Sequence, residues 1–292
     1  MSEPTPKPIV KSFFDPATNT ITHVVHDAAS REAIIFDPVL DYCAASGHTN
    51  TKSADMVINY IEGENLKTKY IIETHAHADH LSSAPYLKEK LGGQTMIGAR
   101  IDAVQKVFGD VFNAGKTFAT DGSQFDVLPK DGDTFMLGDM EVTAMHTPGH
   151  TPACMSYVVG DAVFVGDTLF MPDFGTARCD FPGGSAETLY NSIQKLFTLP
   201  DETRVFLCHD YKAPGRDEYV WETTISEEKR NNKHVGGGAD MDSFVKMRIE
   251  RDAKLAMPKL ILPSVQVNMR AGEFPPADDN GTIYLKIPIN AL

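Results

Sequence analysis

The sequence of 292 residues has one tryptophan, four cysteines and a deficit of basic residues. Cys43, Cys154, Cys179 and Cys208 are far apart and form no C-x-x-C pair. That spacing excludes the dense disulfide framework of small secreted domains. Each thiol is expected to be reduced and packed as a small buried hydrophobe. No apolar run approaches the roughly 18 residues that a membrane-crossing helix requires. With 27 Lys+Arg against 40 Asp+Glu, the formal charge is −13, so the field of the chain repels phosphate backbones and anionic lipid. Neither nucleic acid nor a membrane is expected as a partner. The opening MSEPTPKPIVKSFF has no apolar signal core and no small-residue cleavage site, so a cytoplasmic protein is expected.

What is present is the composition of a folded globular chain, 42% hydrophobic and 23% charged, with 22 Gly and 18 Pro for its loops. The length allows one large or two small domains. No internal repeat or long linker divides it, so a single domain over 1–292 is expected, with a core of about 20–235 and a C-terminal extension of about 236–292. Two β-branched runs, Thr22–Val25 and Ala33–Asp37, flank the polar turn DAASRE and predict an opening hairpin. Met56, Val57, Tyr60 and Ile61 fall at helical spacing over 53–63. Tyr70-Ile71-Ile72 forms a short strand running into ETHAHADH, and Leu81, Tyr86, Leu87 and Leu91 mark the helix that follows. Turn dipeptides Gly138-Asp139 and Gly160-Asp161 sit between alternating runs and predict two further hairpins. Ser185 is placed to cap a helix with Leu189, Ile193, Leu196 and Phe197 on one face. Arg204–Cys208 is the next strand. Helical stretches are expected over 219–233 and from the GGG break at 236–238 to about Met257. A Pro-rich tail from Pro258 ends in the strand-like YLKIPI.

Seven metal-ligating side chains fall at the ends of these strands: His75, His77, Asp79, His80, His150, Asp167 and His209. A lone histidine at a strand end is more often a hydrogen-bonded structural residue; five histidines and two aspartates converging are not. In an extended segment His75 and His77 project to one face, while Asp79 and His80 reach it from the turn. Imidazole and carboxylate together suit zinc, iron or manganese. His23, His26, His48 and His234 match no ligand position and are expected to be structural or exposed.

Read together, THAHADH, HTPGHT, GDTLF and the strand ending CHD resemble the metallo-β-lactamase superfamily, over roughly residues 20–215. The resemblance implies an α/β fold, the αββα sandwich of two mixed β-sheets flanked by helices. It implies one metal position near His75, His77 and His150, a second near Asp79, His80 and His209, and Asp167 able to bridge them. The segments THAHADHLSSA, HTPACMSYVVGDAVFVGDTLF, GTARCDFPGG and LCHDY are similar to the persulfide dioxygenase branch, the ethylmalonic encephalopathy protein-like sulfur dioxygenases. That branch implies one non-haem Fe(II) per chain held by His75, His150 and Asp167. His77, Asp79, His80 and His209 would then surround it, with His209 and Tyr211 as further catalytic groups.

The implied reactants are glutathione persulfide and O₂, the implied products sulfite and glutathione, and the implied assembly a homodimer. Glutathione carries two carboxylates, for which Arg178, Lys212 and Arg216, with the hydroxyl of Tyr211, stand close to the metal-bearing strands. Three other readings fit the same ligands. A glyoxalase II-like hydroxyacylglutathione hydrolase would use two metals, zinc among them, to activate water; the TPACM after His150 departs from that pattern. A β-lactamase is disfavoured by the expected cytoplasmic location. A non-enzymatic metal or sulfane-sulfur binder would have no use for open coordination positions.

Overall fold

The structure, a computed structural model, describes residues 7–291. The first six residues of the opening segment and Leu292, the last of the extension, lie outside the described residues.

The first sheet takes β1 (Ile9–Asp15), β2 (Thr20–His26), β3 (Glu32–Phe36), β6 (Lys67–Glu73) and β8 (Gln94–Ile97) in that spatial order, antiparallel up to β3 and parallel from β3 to β8. Its three parallel strands are linked through α1 (Lys52–Gly63) and α2 (Ala84–Leu91). A small sheet of β4 (Val39–Cys43), β5 (His48–Asn50) and β7 (Leu81–Ser82) lies beside it. After α3 (Ile101–Val111), the second sheet forms from β9 (Thr134–Leu137), β10 (Met140–His146), β11 (Met155–Val159), β12 (Ala162–Phe164), β13 (Arg204–Phe206) and β14 (Glu222–Thr224), in the order β14-β13-β12-β11-β10-β9. The helix α4 (Ala186–Leu196) links β12 to β13. Three more helices, α5 (Ile225–Asn231), α6 (Met241–Asp252) and α7 (Ile261–Asn268), complete the chain. Among the described residues no helix is long and apolar enough to cross a membrane.

Strand parity explains the layering, because successive side chains in a strand point to opposite faces. Ile34, Phe36 and Ile72 face Ala162, Phe164 and Phe206 in the core between the sheets, where the Phe36 and Phe206 rings stack on Phe164 at 4.5 and 5.0 Å. The alternate residues Ala33, Ile35 and Ile71 pack outward onto Val57, Ile61 and Leu87 of α1 and α2. On the other side Val163, Val165, Val205 and Leu207 pack onto Leu189, Ile193 and Phe244 of α4 and α6. These strands are apolar on both faces because helices cover the outside of each sheet. The layers are therefore helix, sheet, sheet, helix, as the resemblance implied.

The opening hairpin, the helix α1, the two later hairpins and the Ser185 cap form as predicted, with Ser185 Oγ accepting from Thr188 N. Three local expectations fail. Leu81, expected in the helix after the histidine cluster, lies in the strand β7, and the helix begins only at Ala84. The stretch 219–233 is not helical throughout; it begins with the strand β14, which pairs with β13, and only Ile225–Asn231 is helix. The tail YLKIPI forms no strand. Its Lys286 backbone bonds instead to the Gln266 side chain, accepting at 2.9 Å and donating at 2.9 Å, and Pro288 has no N–H to offer a ladder.

Burial also creates an unusual acid. Glu228 on α5 accepts from Asn232 Nδ2 at 2.7 Å, while its other oxygen has no partner. Burial pushes this carboxyl from 4.5 up to about 8, aided by the charge of Asp173. Between those two pH values the unfolded chain has released the proton and the folded one has kept it, so stability falls as pH rises through the window. Glu228→Gln should remove that fall. In urea unfolding at pH 5 and pH 8, the variant should gain on the native chain by about 1.4 kcal/mol per pH unit crossed; an unchanged difference would show that Glu228 is ionised in the fold.

Candidate metal centre

Four loops meet at one end of the sandwich. β10 and β12 run in the same direction, being each antiparallel to β11, and β13 is parallel to β12, so all three deliver their C-terminal loops to one edge. These loops carry His150, Asp167 and His209. β6 of the other sheet delivers the H-x-H-x-D-H loop to the same place, and Met155 N donates to Thr74 O across the gap at 2.9 Å. Two glycines permit this approach. Gly166 has φ 50°, and a Cβ there would lie 2.5 Å from Thr74 Oγ1; Gly149 has φ 137°, and a Cβ would lie 2.4 Å from the Leu189 backbone. Any side chain at either position would push a ligand loop away.

Hydrogen bonds fix which nitrogen of each histidine faces inward. His150 Nδ1 lies 2.8 Å from the Arg178 carbonyl, which only accepts, so Nδ1 carries the proton and Nε2 keeps a lone pair. Thr74 Oγ1 donates its single proton to Asp37 Oδ2 at 3.0 Å and therefore accepts from His75 Nδ1 at 3.1 Å. His75 Nε2 is left unprotonated and has no hydrogen-bond partner. Burial, then the neighbouring His77 and His150, hold the His75 pKa well below the usual 6.5, which keeps that lone pair free at neutral pH. The Nε2 atoms of His75 and His150 lie 3.9 and 3.6 Å from Asp167 Oδ2. His75, His150 and Asp167 offer ligand atoms all within 4.8 Å of one another.

His77 is held differently. Its Nε2 lies 2.8 Å from Asp37 Oδ1 and 3.2 Å from Glu73 Oε2, both buried. Burial alone would lower its pKa, but Asp37 and Glu73 outweigh that and raise it well above 6.5. Asp37 is the reciprocal case: burial would raise it, and the charge and hydrogen bond of His77 with the Thr74 N–H hold it below the usual carboxylate value. Asp37 has φ 50°, a left-handed conformation that costs a non-glycine residue about 1 kcal/mol. Its carboxylate gathers Thr74 N at 2.7 Å, Thr74 Oγ1 and His77 Nε2.

The remaining ligands crowd together. His209 Nδ1 faces the Asn19 carbonyl at 3.2 Å, while its Nε2 lies 3.1 Å from Asp79 Oδ2 and 3.3 Å from Asp167 Oδ1. A ring nitrogen thus stands beside two carboxylate oxygens from different loops. Asp79 Oδ2, His80 Nε2, Asp167 Oδ1 and His209 Nε2 are buried without hydrogen-bond partners. Unpaired buried polar atoms are rare, so this pocket of orphans, with its imidazole and carboxylate donors, fits a metal. Two other sets of three also converge within 4.8 Å among the described residues: Glu73, His77 and His80, and His77, Cys208 and His209. Both contain His77, whose Nε2 is engaged by Asp37 and Glu73 while its Nδ1 is buried without a hydrogen-bond partner. Asp79, His80 and His209 do not form such a set.

A cavity of about 550 Å³ opens over His150, Asp167 and Asp79, walled by Phe170, Phe174 and Phe181. Tyr211 lines it and stacks on His209 with ring centroids 5.7 Å apart. Packing around the ring, then the charges of Asp79 and Asp167, raise its phenol well above 10, so it remains a hydrogen-bond donor. The cations expected for a substrate are placed otherwise. Arg178 lines the cavity but its guanidinium is held by both oxygens of Asp180, at 2.6 Å each. Arg216 is taken up by Asp173 and Asp210, and Lys212 lies 4.4 Å over the Tyr219 ring; neither lines the cavity.

Cations that the sequence reading passed over are there instead: Arg248, paired with Asp252, and Arg251 and Lys259, which among the described residues have no acidic partner. Cys154 and Cys179 are buried with thiols pushed up to about 12 by burial, which supports packing rather than reactivity. Cys43 departs from expectation: it is exposed, its thiol lowered by hydrogen bonds from Ser46.

This fold and this ring of histidines and carboxylates define a metal-binding αββα protein. The Metallo-beta-lactamase superfamily model matches residues 29–209, and the chain belongs to that superfamily. It is 54% identical to a probable metallo-hydrolase of Burkholderia pseudomallei (strain 1710b), over 97% of this chain and 99% of the other. It is 51% identical to glyoxylase B2 of Dictyostelium discoideum, over 92% of each. The human mitochondrial persulfide dioxygenase ETHE1 is 30% identical over 90% of this chain and 89% of its own. The crystal structure of ETHE1 from Myxococcus xanthus superposes with a TM-score of 0.72 at 32% identity, covering 91% of this chain and all of that one.

Asp37 stands outside the histidine motif yet holds its first half. Asp37→Ala should leave the His77 charge buried without its main partner and lower stability by about 3–5 kcal/mol, read from the denaturant midpoint. A loss below about 1 kcal/mol would show that the loop does not depend on it.

Proposed function

We propose that the protein is a persulfide dioxygenase that converts glutathione persulfide, O₂ and water to sulfite and glutathione at one Fe(II). His75, His150 and Asp167 would hold the iron. The observation that carries this reading is the convergence of those three side chains beside the cavity while His77 Nε2 is sequestered between Asp37 and Glu73. The similarity to ETHE1 proteins in sequence and structure supports it. Two histidines and one carboxylate leave coordination positions open, where Fe(II) supplies the site for a persulfide sulfur and O₂ to react. The overall stoichiometry balances: GSSH + O₂ + H₂O gives GSH, sulfite and two protons.

The chain's own groups have separate tasks. Thr74 and the Arg178 carbonyl fix the His75 and His150 rings with Nε2 inward. Phe170, Phe174 and Phe181 give the cavity apolar walls, which exclude water from a reactive sulfur. Tyr211 offers an O–H donor near Asp79 and Asp167. Arg251 and Lys259, unpaired at the cavity, are placed to bind the two glutathione carboxylates that a chain of charge −13 would otherwise repel. This moves the anchoring role from Arg216 and Lys212 to the C-terminal extension.

A second reading has its own support. The similarity to glyoxylase B2 and the orphaned atoms of Asp79, His80 and His209 favour a two-metal thioester hydrolase, in which the metals activate water. The two separate in one experiment. Fe(II)-loaded protein given glutathione persulfide should consume O₂ and form sulfite in equal amounts, and Arg251→Met should raise KM about 10-fold or more with kcat little changed. No O₂ uptake by iron-loaded protein, with hydrolysis of S-lactoylglutathione by protein holding two metals, would replace the dioxygenase by the hydrolase.

A further inference from the structure

We propose that Asn268, at the end of α7 in the C-terminal extension, is a positioning residue of the metal centre, setting metal affinity through the backbone of the H-x-H-x-D-H loop. The inference rests on the reading that this loop binds a metal. Asn268 is buried, 2% exposed. Its Nδ2 donates to the carbonyls of His77 at 2.9 Å and His80 at 2.7 Å, and its Oδ1 accepts from Ser82 N at 2.9 Å. One amide thus satisfies three buried backbone groups of a loop that lies nearly two hundred positions away in the chain.

The contact is built on both sides. Ala76 and Ala78, the small residues between the histidines, pack in one apolar cluster with Ile261, Val265 and Met269 of the α7 region. Larger side chains at those two positions would occupy the space that α7 fills. The loop is therefore tied at two places: Asp37 gathers Thr74 and His77 at its start, and Asn268 gathers His77, His80 and Ser82 at its end. The two residues between His77 and His80 include Asp79, whose carboxylate faces His209 and the cavity. Removing the second tether would loosen the backbone of the loop that carries His75, and groups that orient ligands in this way typically govern affinity 10–100-fold.

Zinc serves as a redox-silent probe. Chelator-stripped native protein, Asn268→Leu and Gln266→Ala would each be titrated with Zn²⁺ against a chromophoric competitor. Leucine keeps the branched heavy-atom skeleton and neutrality of asparagine and removes its hydrogen bonds. Gln266 lies on the same helix but bonds to Leu262 and Lys286, away from the loop. The expected result is a 10–100-fold loss of affinity for Asn268→Leu and native affinity for Gln266→Ala. Native affinity in Asn268→Leu, or equal losses in both variants, would overturn the positioning role. No zinc bound by the native chain would instead sink the metal reading itself, and the role with it.

Should Asn268→Leu fail to fold, the native protein carries the test, because coupling is reciprocal. Zinc should slow amide hydrogen exchange at Ser82 and across residues 264–268. Exchange there that zinc leaves unchanged would overturn the proposal.

Discussion

The buried carboxylate of Asp37 is the contact on which the rest of the centre depends. It sits in the left-handed region at the end of β3, takes the backbone and hydroxyl of Thr74, and binds His77 Nε2. Through Thr74 it also sets the tautomer of His75. A single anion thereby determines which nitrogen of His75 faces the cavity and turns His77 Nε2 away from it. The cost is a strained backbone and a buried charge, both tolerated because His77 and two donors from Thr74 satisfy the carboxylate.

Sheet direction does the rest. Parallel and twice-antiparallel pairings send the loops after β10, β12 and β13 to one edge, and glycines at 149 and 166 let the two sheets' loops close on each other. Burial then keeps His75 neutral, and burial together with the charges of Asp79 and Asp167 keeps Tyr211 protonated. The cavity is apolar near the metal ligands and cationic at Arg251 and Lys259. That pairing of features suits a small anion with apolar parts better than a cationic ligand.

Much of this was legible in the sequence for a physical reason: histidines at strand ends and turn dipeptides between alternating runs are local signals. All seven candidate ligands come together at one edge, and both sheets follow from strand parity. Asp37 was not legible, because a lone acid after an apolar strand has no spacing that marks it. Asn268, Arg251 and Lys259 lie in the extension, so only the folded chain shows what they touch. Arg216 misled for the converse reason: its place after a ligand-bearing strand suggested the substrate, whereas Asp173 and Asp210 fold it back. YLKIPI has strand-like composition, but its strand-like residues meet no sheet edge, and Ile287 and Ile289 remain exposed.

One metal held by His75, His150 and Asp167, with no second among Asp79, His80 and His209, separates the dioxygenase from the hydrolase. Anomalous diffraction at the iron edge from crystals of Fe(II)-loaded protein addresses this directly. The account predicts a single peak within bonding distance of His75 Nε2, His150 Nε2 and an Asp167 oxygen. Two peaks, the second among Asp79, His80 and His209, would contradict it and make the site that of a two-metal hydrolase.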